Sequence, residues 1–292
     1  MPQESLMKPS RTKIYSVKGA ARLFSLPVGL FAGAIALLTV AGHPDFDLAS
    51  GLMAAVASVL VQASANFIND YSDLQNPELA QRLSEAQRRI IRLNTLLGGL
   101  CLVAAAVLGG VLMARLGSTV LWLALGGLIM MLAYNIEPVA LKKKGLGMPL
   151  VALMMGPYMM PAIAWCATGT VPAPGVFLHS LLFSLPIGLL LFSNEYRDIA
   201  YDSLNGDRTL AVRLGSQASR RLYRTLLVLT VLAYTGLLAS TPLMLPALIP
   251  VLALAIHLYR RAHQPSPGLP PKTGQLVLLS GLVQAAWLLL TQ

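Results

Sequence analysis

Asn69-Asp70-Tyr71-Ser72-Asp73 and Asn194-Glu195-Tyr196-Arg197-Asp198 are two versions of one pentapeptide, and Asp202 follows the second copy one helical turn later. Each copy ends a long apolar run. Carboxylates at the edge of a membrane helix are costly and are kept for a partner or a task. Two facing acidic clusters can hold divalent cations, and those cations can hold a diphosphate.

The 292 residues are 55% hydrophobic and 12% charged, against about a quarter charged in soluble chains. Mean hydropathy is +0.66. This balance excludes an ordinary soluble α/β enzyme and implies an all-α, polytopic membrane protein. The net charge of +10 is read as basic loops that set topology and meet anionic lipid head groups, not as a nucleic-acid surface. Cys101 and Cys166 lie inside apolar runs and are read as small core residues, with no disulfide or metal framework. The polar start through Lys18 has no short apolar segment with a cleavage site, so no removable signal peptide is expected.

Outward from the motifs, nine transmembrane helices are expected, at about 22–41, 48–68, 90–114, 119–136, 149–168, 176–193, 226–239, 243–258 and 274–290. Most approach the ~20 residues needed to span a bilayer, and the seventh and eighth are short. Pro27 is placed to kink the first, while 74–89 and 195–224 read as polar connections. The domain reading is a basic cytoplasmic lead-in, 1–21, and one nine-helix domain, 22–292. With a cytoplasmic N-terminus and strict alternation, the cytoplasmic segments hold 21 of the 22 Lys and Arg, and Arg115 alone falls outside. That split obeys the positive-inside rule and puts both motifs on the cytoplasmic side of a membrane taken as a bacterial inner membrane. Asp73 and Asp198 are 125 residues and four helices apart. A duplicated four-helix unit (helices 1–4 and 5–8) plus a ninth helix is therefore expected.

If the second helix continues through its motif, Asn66, Asp70 and Asp73 share one face. Asn194, Asp198 and Asp202 share a face of the sixth. Each set offers two carboxylates and an amide, which suits a cation such as Mg²⁺ that takes one or two carboxylates with phosphate oxygens and water. Glu195 and Asp207 are read as solvated or paired with Arg197 and Arg208. Lys142-Lys143-Lys144 reads as a topology signal near enough to neutralise a diphosphate. His179 and His257 read as core or interfacial. The methionines at 130–131 and 154–160 read as helix contacts or the lining of a lipid channel.

At these residues the chain resembles the UbiA superfamily of intramembrane prenyltransferases. Residues 66–73, NFINDYSD, look like the family's first Asp-rich motif, and Asp198-Ile-Ala-Tyr-Asp202 looks like its second. Within the superfamily the likeness is strongest to the 1,4-dihydroxy-2-naphthoate prenyltransferases of menaquinone synthesis. It lies in residues 22–27, in 134–147, and in RDIAYDSLNGDRTLAVRLG at 197–215. The resemblance implies nine transmembrane helices, a lateral opening to lipid, Mg²⁺, and transfer of a group from a polyprenyl diphosphate to an aromatic acceptor. Asp70, Asp73, Asp198 and Asp202 are then the metal ligands. Arg22, Asn66, Asn69, Tyr134, Lys142, Lys143, Lys144, Asn194, Arg197 and Arg208 are the substrate-binding candidates. The chain departs from the family pattern at Pro77, where the last acidic position of the first motif would be, and in the adjoining Asn76-Pro77-Glu78-Leu79. It also departs at Glu137 (a proline in the family), at Ala140 (commonly basic) and at Asp207 (commonly Lys).

The implied reaction is electrophilic aromatic substitution. The diphosphate leaves, the allylic carbon gains cation character beside a ring face of Tyr134, Tyr71 or Tyr196, and the electron-rich ring attacks. Two rivals stay open. One keeps the fold but uses another aromatic acceptor, or the chain's own alkene as in a terpene cyclase. The other is a cation-coupled transporter, although transporters place such carboxylates near the midplane and these sit at one edge. The topology is directly testable: cysteines introduced at Ser72 and Ser203 should both react with an impermeant maleimide from one side of the membrane, and reaction from opposite sides would end this reading.

Overall fold

A chain surrounded by lipid must satisfy its backbone N–H and C=O groups internally, so long apolar runs fold as helices. The computed structural model describes residues 15–22 and 25–291, and those residues form helices and turns without a strand. The lead-in residues Lys8, Arg11 and Lys13, and Leu23 and Phe24, lie outside the described residues. In chain order the helices are α1 (Val17–Ala21), α2 (Leu26–Leu38), α3 (Leu48–Ile68), α4 (Tyr71–Gln75), α5 (Pro77–Arg82), α6 (Glu85–Leu116) and α7 (Thr119–Asn135). They continue with α8 (Gly147–Leu153), α9 (Met159–Thr168), α10 (Pro174–Leu204), α11 (Leu210–Ala239), α12 (Leu248–Arg261) and α13 (Leu269–Thr291). Among the described residues, eight segments are long and apolar enough to cross a membrane, and α7 is a shorter apolar helix. At 17 residues, α7 is roughly 26 Å long at 1.5 Å per residue, just under a typical hydrocarbon core.

Several boundaries differ from the apolar runs, each for a local reason. Pro27 falls in the first turn of α2 rather than kinking it, where its missing N–H has no intrahelical partner to lose. The third crossing starts at Glu85, five residues before the apolar run, because Ser84 and Gln87 form a reciprocal capping box. The polar stretch 195–224 is mostly helix: α10 runs on to Leu204, and α11 begins at Leu210 with Thr209 as its cap. This lengthens the seventh crossing, which bends at Gly215 (φ 72°, ψ 167°). The fifth crossing contains a π-helical turn, Met154–Tyr158, around Pro157.

The central helix is α10. Its Phe183, Ile187 and Leu190 pack into one core with α2, α3, α9 and α13. Its Leu189, Phe192 and Tyr196 pack into a second core with α11, α12 and α13. Outside, Val103, Val107, Trp122, Ile129, Leu178 and Leu289 are exposed, as a lipid-facing surface requires. Gly98 of α6 marks a close helix approach. A Cβ there would lie 2.7 Å from Ile68 Cγ1 and 3.2 Å from the Ser64 carbonyl oxygen. At the end opposite the acidic motifs, Arg115 sits 3.7 Å from Asp47, the cap of α3. The Ser50 hydroxyl, 2.6 Å from Asp47, leads the interactions that hold its carboxyl below the usual range. Ser72 is buried, so exposed Glu78 is the better labelling position beside the first motif.

Polar side chains stitch the last helices. Tyr223 shares a 2.7 Å hydrogen bond with Thr273, and Tyr234 donates to Gln284 Oε1 at 2.9 Å. Both partners advance by eleven residues, about three turns, so the two bonds fall on one face of each helix. Gln284 Nε2 in turn donates to the His179 carbonyl at 2.9 Å and lies 3.3 Å from its Nδ1, which places His179 in the interior contacts of the bundle. Such bonds contribute about 0.6 kcal/mol on average and up to about 1.7 in membrane bundles. Tyr234→Phe should fall at the upper end, near 1–2 kcal/mol, because it leaves a buried amide oxygen unpaired. Reversible unfolding in mixed micelles measures this, and an unchanged midpoint would show that the bond contributes nothing.

Candidate functional site

The first motif interrupts its helix. α3 ends at Ile68 and α4 starts at Tyr71. Between them the Asn69 N–H bonds to the Asn66 carbonyl at 3.3 Å and the Asp73 N–H to the Asp70 carbonyl at 3.0 Å. These are tight i,i+3 turns rather than the continuous α-helix that the i, i+4, i+7 spacing predicts. The reason lies across the site. Lys142 Nζ donates to the Asn69 carbonyl at 2.8 Å, to Asn69 Oδ1 at 3.0 Å and to Asn135 Oδ1 at 3.3 Å. A carbonyl that accepts from an ammonium is drawn out of the helical ladder. Asn135 also donates to the Ala65 carbonyl at 3.4 Å, so α3, α7 and the turn after α7 meet at one ammonium. Asn66 donates to Ser25 Oγ at 3.1 Å and to the Ala21 carbonyl at 3.4 Å. Asp70 and Asp73 are buried, and Asp73 Oδ2 accepts from the Tyr15 hydroxyl at 3.0 Å. The Tyr15 contact was not read from the sequence: a lone tyrosine before the first apolar run carries no periodic signal.

The second motif stays within α10. Asn194 donates to the Leu190 carbonyl at 3.1 Å. Arg197 grips Asp198 with two parallel bonds, one of them 2.7 Å from Nε to Oδ1. Asp202 Oδ2 accepts from Thr209 at 3.3 Å. Glu195 is neither solvated nor paired with Arg197. It is buried, and it accepts the Ala211 N–H at 3.3 Å in the first turn of α11, where unpaired amides and the helix dipole favour a carboxylate. Gly147 lets the turn after α7 approach α10 closely here. A Cβ on it would stand 3.1 Å from Lys142 Cα and 3.2 Å from Glu195 Oε1.

The three lysines separate in role. Lys142 reaches the first motif. Lys143 instead lies 3.4 Å from Glu137 and 3.8 Å from Asp207, and Lys144 donates to the Pro138 carbonyl at 2.6 Å. Asp207 therefore pairs with Lys143. Arg208 meets this loop through its backbone, its N–H bonding to the Lys143 carbonyl at 2.8 Å, and the residue is exposed. Ala140 is buried with a left-handed backbone (φ 31°), so this position carries no charge to the site. Tyr196 is in the core, stacked 6.4 Å from Tyr223 with its hydroxyl on the Ala262 carbonyl, away from any reacting carbon.

Arg22, Asn66, Asn69, Tyr134 and Asn194 come together on the wall of one cavity of about 510 Å³. From Tyr134 at this polar end, the cavity follows α7 to Val120, roughly 21 Å along the helix. Its remaining wall is mostly apolar, with Met113, Met131, Met154, Met155 and Met159 among the lining residues. Asp70 and Asp198 each follow a lining asparagine by one helical turn. Among the described residues no three His, Cys, Asp or Glu side chains close into one metal cage. The donors near the polar end are carboxylate and amide oxygens, a set that fits a hard cation sharing its shell with phosphate and water.

The profile of the UbiA prenyltransferase family matches residues 27–280. The chain is 25% identical to UbiA prenyltransferase domain-containing protein 1 of Dictyostelium discoideum, over 99% of this chain and 92% of that protein. It is 28% identical to the 1,4-dihydroxy-2-naphthoate octaprenyltransferase of Haemophilus influenzae, over 90% of this chain and 91% of the other. Its fold matches that of a UbiA homologue from Archaeoglobus fulgidus bound to DMAPP and Mg²⁺, with a TM-score of 0.59 at 14% identity over 93% and 98% of the two chains. The family match takes in both motifs, the basic turn between them and most of the wall of the cavity, and so this helical membrane protein belongs to the UbiA prenyltransferase family.

Proposed function

We propose that this prenyltransferase moves a polyprenyl group from its diphosphate to 1,4-dihydroxy-2-naphthoate, with Mg²⁺, at the cytoplasmic face of a bacterial inner membrane. The observation that carries the reading is the cavity: amides from both motifs, Arg22 and Tyr134 line one end, and an apolar wall runs the length of α7. A polyprenyl diphosphate has the same division, a charged head and a long apolar tail. The naphthoate acceptor is supported by the resemblance across 197–215 and by the relative from Haemophilus influenzae. The cytoplasmic orientation is supported by the split of basic residues. The placement of the motifs at the ends of α3 and α10 supports two four-helix units followed by a last helix.

In this reading Asp70, Asp73, Asp198 and Asp202 are the residues that would hold Mg²⁺. Bound there, the metal supplies neutralisation of the leaving diphosphate. Arg22 at the cavity wall and Lys142 beside Asn69 add positive charge at the same end. The Tyr134 ring borders the cavity and offers a π-face to the allylic carbon as its C–O bond breaks. The ring carbon bearing the carboxylate forms the new C–C bond, the carboxylate leaves as CO₂, and the aromatic quinol is restored.

Asp70→Asn and Asp198→Asn should each reduce turnover to background while the protein elutes as a folded species, because an amide is a poor substitute for a carboxylate on Mg²⁺. Near-normal activity at saturating Mg²⁺ in either variant would count heavily against these ligands. With Mg²⁺, a polyprenyl diphosphate and 1,4-dihydroxy-2-naphthoate, the purified enzyme should release CO₂ and diphosphate and give demethylmenaquinol, which air converts to demethylmenaquinone. Faster prenylation of 4-hydroxybenzoate would overturn the acceptor and leave the family membership standing. Consumption of the diphosphate to a cyclic hydrocarbon, with no acceptor used, would favour a cyclase.

A further inference from the structure

The segment before the first long helix lies against the first motif, and its contacts follow one face of α3. Gln62 donates to the Ser25 carbonyl at 2.9 Å, Asn66 to Ser25 Oγ and the Ala21 carbonyl, and Asp73 accepts from Tyr15. Positions 62 and 66 are one turn apart on α3, and Asp73 lies beyond the turn at Asn69, in α4. Ser16 caps α1, its Oγ accepting from the Gly19 N–H at 2.9 Å. Arg22 ends α1 in a left-handed conformation (φ 45°, ψ 51°), a strained backbone for a residue with a Cβ, and takes its place on the cavity wall. The phenol at the outer end of this segment is buried and 58 residues distant from its carboxylate in the chain.

We infer that Tyr15 is a positioning residue for Asp73: its hydroxyl fixes one carboxylate oxygen and so sets the orientation of the carboxylate toward the cation of the diphosphate site. The inference rests on the proposed role of Asp73 as a ligand. Its chemistry is general. Ligating carboxylates are themselves held by hydrogen bonds from a surrounding shell, and that shell sets both their orientation and their affinity for metal. A phenol donating to a carboxylate is a charge-assisted bond, stronger than a neutral one. It also partners a carboxylate withdrawn from water, and burying a charge without partners is costly. The same contact pins the segment that delivers Arg22, so cation site and guanidinium are set by one short stretch of chain.

The test compares Tyr15→Phe, which removes one oxygen, with Asp73→Asn and wild type. Mn²⁺ serves as the probe, with inorganic diphosphate present, and bound metal is read by electron paramagnetic resonance. Tyr15→Phe should weaken Mn²⁺ binding by about tenfold, the lower end of what loss of such a partner costs. It should raise the Mg²⁺ concentration for half-maximal turnover in parallel, with the rate at saturating Mg²⁺ largely restored. A merely structural role would lower the melting temperature and the saturating rate without moving the metal dependence. If Asp73→Asn loses Mn²⁺ affinity and Tyr15→Phe keeps it, the Tyr15 assignment is wrong and the ligand reading stands. If Asp73→Asn binds Mn²⁺ as wild type does, both are overturned.

Discussion

The Lys142 ammonium is the interaction on which the rest of the site depends. It is held by a backbone carbonyl and two side-chain amide oxygens, at 2.8–3.3 Å, from α7 and from the turn between α3 and α4. At the edge of a bilayer a cation must be paired or reach water, and here three neutral oxygens accept from it. Carbonyl and amide oxygens satisfy the ammonium but leave its net charge in place. A positive charge held this way still attracts an anion arriving at the polar end of the cavity.

The neighbouring residues show the contrary arrangement. Glu137 and Asp207, two of the positions where the chain departs from the family pattern, converge on Lys143. The pair consumes the charge of Lys143 while tying the turn after α7 to the turn after α10. The Arg208 N–H on the Lys143 carbonyl reinforces the same junction. Both acidic side chains act at the one lysine. Glu137 and Asp207 thus join two loops at Lys143, while Lys142 bonds to Asn69 and Asn135.

Much of this was legible in the sequence because lipid imposes strong rules. Hydrophobic length located the crossings, and the repeated NDYSD and NEYRD marked the polar end. What failed was local. Helices in this protein leave the apolar zone as helices, so hydropathy set the starts of α6 and α11 too late, although Ser84 and Thr209 carried the capping signals. The helix that would continue through Asp70 tightens instead into i,i+3 turns at Asn69, whose carbonyl accepts from Lys142. Glu195 was misread because its partner, the Ala211 N–H, belongs to a helix start that hydropathy hid. Tyr15 and the division of labour among three adjacent lysines depend on long-range geometry, and no periodicity encodes either.

The cavity sets a final constraint on how a two-part substrate can use the site. Moving a diphosphate through an apolar wall strips its hydration with nothing in return, whereas an isoprenoid tail crosses that wall freely. In the proposed reading the head group is held where Arg22, Asn66, Asn69 and Asn194 converge on the cavity wall, and the tail lies along α7. The wall that receives the tail contains five methionines and the π-helical turn around Pro157. Unbranched thioether side chains adapt to irregular apolar shapes at little cost, and π-turns interrupt regular helix packing where function needs space. Specificity in such a site resides at the polar end, where buried amides and charges demand partners of matching geometry. The apolar length supplies affinity without demanding a unique tail conformation.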